Sequence, residues 1–361
     1  MRIAGAGASG LAAAILLARR GATVELYDRR AGGGGRFHGG WQVIENGTCD
    51  RDALDELRAL GLPDGFTLIP AMRALLLDGR GGAHEVASTR PFAYFVRRGA
   101  GDSTLDGVFR RHALELGVRL RDREAAPASA DVVATGPRQA DGVARESVFT
   151  TDLPDTVAVL FDPALTPTGY AYLFAVAGHG TFGVAQVRQV RDLARAATAA
   201  WQRFRDVLGP FSAEVVHEGG QFMNFSLPRS LRAGDGAWHV GEAAGIQDFL
   251  FGLGIRLALR SAALAADGIV GSFDRAGFDT TVLRPMRTSI ALRFIYERSG
   301  VGSLARACRV ASRRDFRELL LRVQRPSLVK DMIARAVMAA WRERSGCRHG
   351  PLCAWCRRRE T

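Results

Sequence analysis

The sequence predicts an α/β fold in three parts: a parallel β–α–β unit that opens the chain, an antiparallel β region in the middle, and helices at the end. Three observations carry this. Residues 1–28 read as strand, glycine-rich turn, apolar helix and strand. Residues 150–230 hold short apolar runs of strand length, bounded by Gly and Pro. From Phe273 onward the apolar positions recur at helical spacing. The 361 residues suffice for two or three domains, and 47% hydrophobic residues with 42 glycines fit a globular enzyme, not a disordered or fibrous chain.

Residues 1–4 form the first strand. Gly5-Ala6-Gly7-Ala8-Ser9-Gly10 follows, then a helix to Arg20, closed by Gly21. Val24-Glu25-Leu26-Tyr27-Asp28 is the second strand and ends in an acid. This is the spacing of a dinucleotide-binding turn in a Rossmann-like unit. Gly5 turns the chain, Gly7 lets the backbone approach a pyrophosphate, and Gly10 lets helix and strand pack closely. The helix N-terminus offers unpaired N–H groups and a positive dipole end to phosphates. Asp28 can accept hydrogen bonds from an adenosine ribose. The apolar start superficially resembles a signal peptide. However, Arg19 and Arg20 follow the apolar run instead of preceding it, so the segment is expected to belong to the fold.

Further along, Leu105, Val108, Phe109 and Leu116 form one apolar face over 103–120, and Gly117 breaks that helix before a strand. ADVVATGPR at 130–138 reads as a buried strand ending at Ala134-Thr135-Gly136. In the middle region, strands are expected over 156–161, 170–177 and 181–186, with Gly178-His179-Gly180 as a hairpin turn. A helix over 190–208 and a strand over 221–227 complete it. Tyr170, Tyr172 and Phe174 fall on one face at period two, and either fill the core or line a pocket wall. A short strand over 237–240 then runs into GEAAGIQDFLFGLGIR at 241–256, which opens an apolar helix. Residues 313–342 read as two helices broken at Pro326.

Net charge is +12, and Lys330 is the only lysine. A GC-rich coding bias accounts for so much arginine; the functional alternative is attraction to an anionic membrane surface or acidic substrate. No nucleic-acid module is visible, so no nucleic-acid partner is expected. No segment reaches the ~18–20 continuous apolar residues of a membrane span. The basic C-terminal helices are expected to pack on the enzyme with a solvated face; docking on a membrane surface or a partner protein is the alternative. A cytoplasmic location follows, with the five cysteines reduced or metal-bound. Cys347, His349, Cys353 and Cys356 cluster in the tail, and Cys353-x-x-Cys356 has zinc-knuckle spacing. A redox-active pair and free thiols are the other readings of that cluster. The histidines at 84, 112, 179, 217 and 239 show no metal-ligand spacing.

Several stretches together resemble a known family. These are Gly241-Glu242-Ala243-Ala244-Gly245 with Gly252-Leu253-Gly254-Ile255, Tyr170-Ala171-Tyr172-Leu173-Phe174-Ala175, Arg36-Phe37-His38-Gly39-Gly40, and the strand ending in Ala134-Thr135-Gly136. They are similar to the fingerprints of the two-dinucleotide-binding-domain flavoproteins, in the superfamily of p-hydroxybenzoate hydroxylase and the geranylgeranyl reductases. The likeness spans roughly residues 1–300. Gly245, where hydroxylases usually carry histidine, and the Tyr-x-Tyr-x-Phe stretch lean toward the reductases. His38 stands where many archaeal reductases carry cysteine, Glu242 where the family usually carries aspartate, and Ala175 where the reductases carry proline.

The resemblance implies FAD, bound by Gly5, Gly7, Gly10, Asp28, Arg36, Gly136, Gly241, Glu242, Gly252 and Gly254, and reduced by NAD(P)H or another donor. Glu242 would hold ribityl or pyrophosphate hydroxyls. The helix from Ile255 would aim its positive end at the flavin, where the reduced ring carries negative charge. Phe174, Phe249 and Phe251 are pocket candidates, with core packing as the alternative for each. Tyr172 is the first candidate for a proton donor, followed by His38 and Tyr170. The expected division is an FAD-binding domain over 1–60, 95–145 and 232–270, a substrate-binding β-sheet domain over 61–94 and 146–231, C-terminal helices over 271–345 and the Cys/His tail over 346–361. The expected reaction is hydride transfer from reduced flavin to a C=C bond of an apolar, isoprenoid-like or polyene substrate. The alternatives are a flavin C4a-hydroperoxide monooxygenase acting on an aromatic or protein-bound substrate, and a degenerate flavoprotein serving as a binding subunit.

Overall fold

The computed structural model describes residues 1–32, 34–137, 140–187, 192–234 and 236–342. The chain opens with β1 (Arg2–Ala4), α1 (Ala8–Arg19) and β2 (Glu25–Asp28). Next come β3 (Trp41–Glu45), α2 (Ala53–Ala59), β4 (Leu68–Ala71), β5 (Arg73–Asp78), β6 (Ala83–Ala87) and β7 (Ala93–Arg97). α3 (Leu105–Glu115), β8 (Arg119–Asp122) and β9 (Val132–Val133) return to the first unit. β10 (Gly142–Thr150), β11 (Thr156–Phe161), β12 (Gly169–Val176), β13 (His179–Val187), α4 (Leu193–Leu208) and β14 (Glu214–Met223) form the middle. β15 (Trp238–His239) and α5 (Ile255–Ile269) precede the helices α6 (Arg275–Phe278), α7 (Arg284–Arg298), α8 (Val301–Ala311), α9 (Phe316–Gln324) and α10 (Leu328–Arg342).

Three sheets are present among the described residues. The first is wholly parallel, in the order β15-β9-β1-β2-β8. The strand ending in Ala-Thr-Gly therefore does return the chain to the opening unit, through β9. α1 packs between α3 and α5 and is buried from Ala8 through Leu17. Its alanines fit that position, because small side chains let a helix lie close to its neighbours on several sides.

The second sheet runs β14-β10-β13-β12-β11-β5-β6 and is antiparallel apart from the β11–β5 pair. Alternation along β12 decides what each face touches. Ala171, Leu173 and Ala175 pack toward α4, while Tyr172, Phe174 and Val176 pack against the third sheet, β3-β7-β4. β10 lies whole within this second sheet and runs across the division expected at 145/146.

Local details differ from expectation for identifiable reasons. The β12–β13 hairpin turns on Ala177 (φ 48°) and Gly178 (φ 76°), not on Gly178-His179-Gly180. His179 and Gly180 already pair with Val176 and Ala175. Two successive positive φ values make a primed turn whose twist suits a two-residue hairpin, and the Asp155 carboxylate accepts the Ala177 N–H at 2.9 Å to hold it there. α4 starts at Leu193, where the Asp192 side chain caps the Arg195 N–H at 3.0 Å. The strand expected over 221–227 is β14, which ends at Met223; the residues after it cross back toward the parallel sheet. At the C-terminus α9 and α10 are separated at Pro326 as expected. Leu328, Val329 and Met332 stand 82%, 65% and 68% exposed at the start of α10. No helix among the described residues is long and apolar enough to cross a membrane.

Candidate active site

The glycine loop between β1 and α1 separates packing from binding. Gly5 has φ 102°, and a Cβ there would lie 2.3 Å from the Ala134 carbonyl oxygen. A Cβ on Gly10 would lie 1.8 Å from the Gly5 oxygen. At Gly7 a Cβ would meet no atom within 4 Å. Gly7 is also the N-cap of α1, with no side-chain cap and no acid in the first turn. The positive end of α1 therefore faces open space. Asp28 ends β2 as expected, and its two carboxylate oxygens accept the Ala6 N–H at 2.7 Å and the Arg30 N–H at 2.8 Å. It thus straps the glycine loop; a carboxylate retains further lone pairs for a ribose.

The far side of the slot is built after β9 and β15. Gly136 has φ 77°, and a Cβ on it would come 4.0 Å from Arg36 Nη1. Arg36 pairs through Nη2 with Glu242 Oε2. Asn224 donates to the Glu242 carbonyl at 3.0 Å, and Gln221 to the Arg36 carbonyl at 3.1 Å. Gly241 (φ 57°) lies over Ser9, where a Cβ would fall 2.7 Å from Oγ. Four buried polar atoms here have no hydrogen-bond partner among the described residues: Glu242 Oε1, Asn224 Oδ1, Ser226 Oγ and Gln247 Oε1. Such atoms cost about 1–3 kcal/mol each unless a ligand or water satisfies them. α5 starts on Gly254, again with no side-chain cap and no acid in its first turn. Gly252 (φ 72°) packs against Met223 Sδ, and Gly254 against Gln247.

An aromatic wall adjoins the start of α5. Tyr170 donates its hydroxyl to the Phe251 carbonyl, and the two rings meet edge to face at 5.4 Å. Phe251 also meets Phe161 at 6.0 Å. Tyr172 and Phe174 stack behind this wall at 4.9 Å, with Phe95 of β7 at 4.7 Å from Phe174, in the core between the second and third sheets. Phe249 goes elsewhere: it is 3% exposed, packs on Phe225 at 5.1 Å and belongs to the core. Burial pushes the Tyr170 phenol above its ordinary value, with the nearby Asp248 carboxyl adding to the rise. The Asp248 carboxyl is itself pushed up to about 6 by burial, against the pull of the Phe251 and Leu250 N–H groups.

Sequence reasoning missed Glu146. It lies on β10, is 6% exposed, and accepts the Tyr172 hydroxyl at 2.9 Å and the Gln42 side-chain N–H at 3.0 Å on Oε2. Burial pushes its carboxyl up, over the opposing hydrogen bonds from Tyr172 and Gln42 and the charge of Arg36. Burial also pushes the Tyr172 phenol well above its ordinary value, and the Glu146 carboxyl adds to this. A buried acid in the alternating run Gly-Val-Ala-Arg-Glu-Ser-Val-Phe-Thr was the only available signal, and solvent-facing strands carry such acids too.

His38 is not part of that pair. Its ring stacks on His217 of β14 with centroids 3.7 Å apart. Burial, then His217 and Arg30, hold its imidazole below the ordinary value, which favours the neutral ring. The proposed tail ligands Cys347, His349, Cys353 and Cys356 lie outside the described residues. Among the described residues, no three His, Cys, Asp or Glu side chains come together in a way that could hold a metal.

A family model described as an NAD(P)-binding Rossmann-like domain matches residues 3–51. No curated protein matches the chain. Several solved structures share its fold. A geranylgeranyl bacteriochlorophyll reductase-like protein from Thermoplasma acidophilum superposes with a TM-score of 0.67 at 14% identity, covering 95% of this chain and 98% of that one. The p-nitrophenol 4-monooxygenase PnpA from Pseudomonas putida DLL-E4 superposes at 0.64 and 14% identity, covering 90% and 98%. CmlS, a flavin-dependent halogenase, superposes at 0.55 and 18% identity, covering 94% and 76%. At these identities the likeness establishes a common fold, and the three names describe three different reactions.

Proposed function

We propose that the chain is an FAD-dependent oxidoreductase that reduces a C=C bond of an apolar, isoprenoid-like or polyene substrate, with NAD(P)H or another donor supplying electrons. The observation that carries the FAD reading is the set of orphaned buried atoms between two uncapped helix N-termini. Glu242, Asn224, Ser226 and Gln247 offer acceptors to a hydroxyl-rich and N–H-bearing ligand. Gly7 leaves the backbone open to a pyrophosphate, and Arg36 adds a cation beside it. These residues fit FAD, whose chemistry when bound is two-electron transfer to or from a substrate.

The chain's own contribution is binding, orientation and the proton. Tyr170 and Phe251, with Phe161 beside them, make an apolar aromatic wall, which suits a hydrocarbon substrate and keeps water from competing for electrons. Tyr172 is the better proton donor of the two tyrosines, because its hydroxyl bonds a carboxyl group, Glu146, that can exchange a proton with it, whereas the Tyr170 hydroxyl bonds the Phe251 carbonyl, which cannot. Leu328, Val329 and Met332, exposed beside Arg325, suit a membrane-peripheral enzyme that meets lipid-like substrates. The runner-up reading is oxygen insertion, favoured by the fold likeness to p-nitrophenol 4-monooxygenase.

The test is purification, measurement of bound FAD by absorbance, anaerobic reduction, and addition of geranylgeraniol without oxygen. Reoxidation coupled to saturation of a C=C bond supports the reductase. Reoxidation that needs oxygen and leaves its label in a product moves the protein to the second reading. A protein that takes up no FAD overturns both.

A further inference from the structure

We infer that Glu146 is a positioning residue and proton reservoir for Tyr172, a buried carboxyl bonded to the tyrosine hydroxyl that replaces the tyrosine proton as the tyrosine protonates the substrate. The inference rests on the reductive reading proposed above, and it stands on the register of the second sheet. Glu146 pairs with Gly183 on β13, and Gly183 pairs in turn with Tyr172 on β12. The two functional side chains are thus two strands apart, which ordinarily puts them out of hydrogen-bond reach. The missing side chain at 183 removes the obstacle. A Cβ there would lie 2.3 Å from the Tyr172 ring, so the ring lies across the glycine and its hydroxyl reaches Glu146 Oε2 at 2.9 Å. On the other side Glu146 pairs with Gly219 of β14, a second glycine. From the facing sheet, Gln42 of β3 donates to the same oxygen at 3.0 Å, and a Cβ on Gly40 would come 3.4 Å from Oε1. The facing groups that carry charge or titrate are Tyr172, more distantly Arg36, whose side chain is 33% exposed, and on β14 His217, whose Nε2 would lie 2.8 Å from a Cβ on Gly219 and which stacks on His38.

The chemistry follows from which group can hold the charge. For each C=C bond reduced, one carbon takes a proton. If Tyr172 alone supplied it, a phenolate would be left buried behind an apolar wall, and the phenol is pushed away from ionising there. A carboxyl is ordinarily about six units more acidic than a phenol. With Glu146 protonated on Oε2 the hydrogen bond runs the other way, the carboxyl O–H donating to the Tyr172 oxygen and freeing the Tyr172 O–H. The Tyr172 O–H bond then breaks toward the substrate carbon and the Glu146 proton re-forms it. The negative charge ends on a carboxylate that keeps the Gln42 hydrogen bond and faces Arg36. A water proton arriving from the solvent side of Arg36 restores the carboxyl. Every proton delivered is matched by one taken up, and no electrons move in this half of the reaction.

Two measurements test this. The first needs neither cofactor nor substrate: the infrared stretch of protonated carboxyls is followed against pH in wild type and E146Q. The expected result is a protonated-carboxyl band, distinct from that of Asp248 and read as the wild-type-minus-E146Q difference, that persists above the ordinary carboxylate range. A Glu146 that ionises in the ordinary range overturns the inference. In the second, the reduced FAD-loaded protein is reoxidised anaerobically by geranylgeraniol across pH. The wild-type rate is expected to fall as pH rises through the infrared midpoint. E146Q is expected to lose about a hundredfold and its pH dependence, with E146D restoring part of both, and Y172F to lose at least as much as E146Q. An E146Q protein with the wild-type rate and profile overturns the relay while leaving the reductase reading intact. A protein that takes up no FAD sinks the functional reading instead, and the infrared midpoint still reports on Glu146.

Discussion

Gly7 and Gly10 occupy one loop and are glycine for different reasons. Gly10 has no room for a side chain, because its Cβ would fall 1.8 Å from a backbone oxygen. Gly7 has room, at an ordinary negative φ of −83°. G10A is therefore expected to lower the unfolding midpoint, as overpacking against backbone costs roughly 1–3 kcal/mol or more. G7A is expected to melt like wild type yet bind FAD at least tenfold more weakly, since the new methyl group occupies the approach to the phosphates. Thermal melts and FAD titrations of both variants check this; equal losses of stability would remove the distinction. Asp248 gives a second test at this scale. Burial raises its carboxyl from 3.8 to about 6 in the folded state, so the fold binds a proton that the unfolded chain releases. Its stabilising contribution is complete below about pH 4 and is lost as pH rises through about 6. In D248N that fall, roughly 2–3 kcal/mol, should disappear from denaturant-derived stability curves; parallel curves for the two proteins would show the carboxyl is not shifted.

Between elements, the charged contact to watch joins α5 and α2. Arg256 and Arg260 are one helical turn apart and only 3% and 7% exposed. Both bond Glu56 of α2, Arg256 at 2.7 Å and Arg260 at 2.8 Å, and Arg256 also reaches the Arg51 carbonyl at 2.7 Å. Burial works to raise the Glu56 carboxyl, but the hydrogen bond from Arg260 and the two guanidinium charges hold it below the ordinary value. Its stabilising contribution is therefore present above the ordinary carboxylate range and lost as pH falls. E56Q leaves two buried guanidinium groups with only the Glu45 carboxylate, 3.5 Å from Arg256, as counter-charge, and is expected to cost about 3 kcal/mol by denaturant unfolding; under about 1 kcal/mol would show that water or Glu45 compensates the pair.

Legibility in the sequence follows the range of the interactions. The β1–α1–β2 unit was readable because its glycines and closing acid act within a few residues of one another. The Tyr170, Tyr172 and Phe174 face was readable because a strand alternates by itself. Glu146 was not, because its role comes from a register two strands wide that hinges on Gly183. Phe249 and Phe251 read alike as neighbours; the turn at 249–251 sends one into the core and the other to the wall.

Across the whole molecule, the slot gathers residues from distant parts of the chain. Gly7, Arg36, Gly136, Asn224, Ser226, Glu242 and Gln247 come from the parallel sheet's loops, the end of β14 and the approach to α5. No single element is completed by the slot, and its orphaned atoms leave the ligand-free fold with unmet hydrogen bonds in several elements at once. A ligand that meets them binds the folded chain and has no comparable site on the unfolded one. Its effect is then set by mass action, about 2.7 kcal/mol at a concentration one hundred times Kd. The unfolding midpoint is expected to climb with the logarithm of added FAD. N224A, which removes one orphaned acceptor and the hydrogen bond to the Glu242 carbonyl, is expected to need more FAD for the same rise. AMP alone, which lacks the flavin and ribityl chain, should produce a smaller rise that N224A leaves unchanged, because Asn224 sits with Glu242 on the side of the slot away from Asp28. A midpoint that ignores FAD up to saturating concentrations would mean that these buried atoms serve some other ligand.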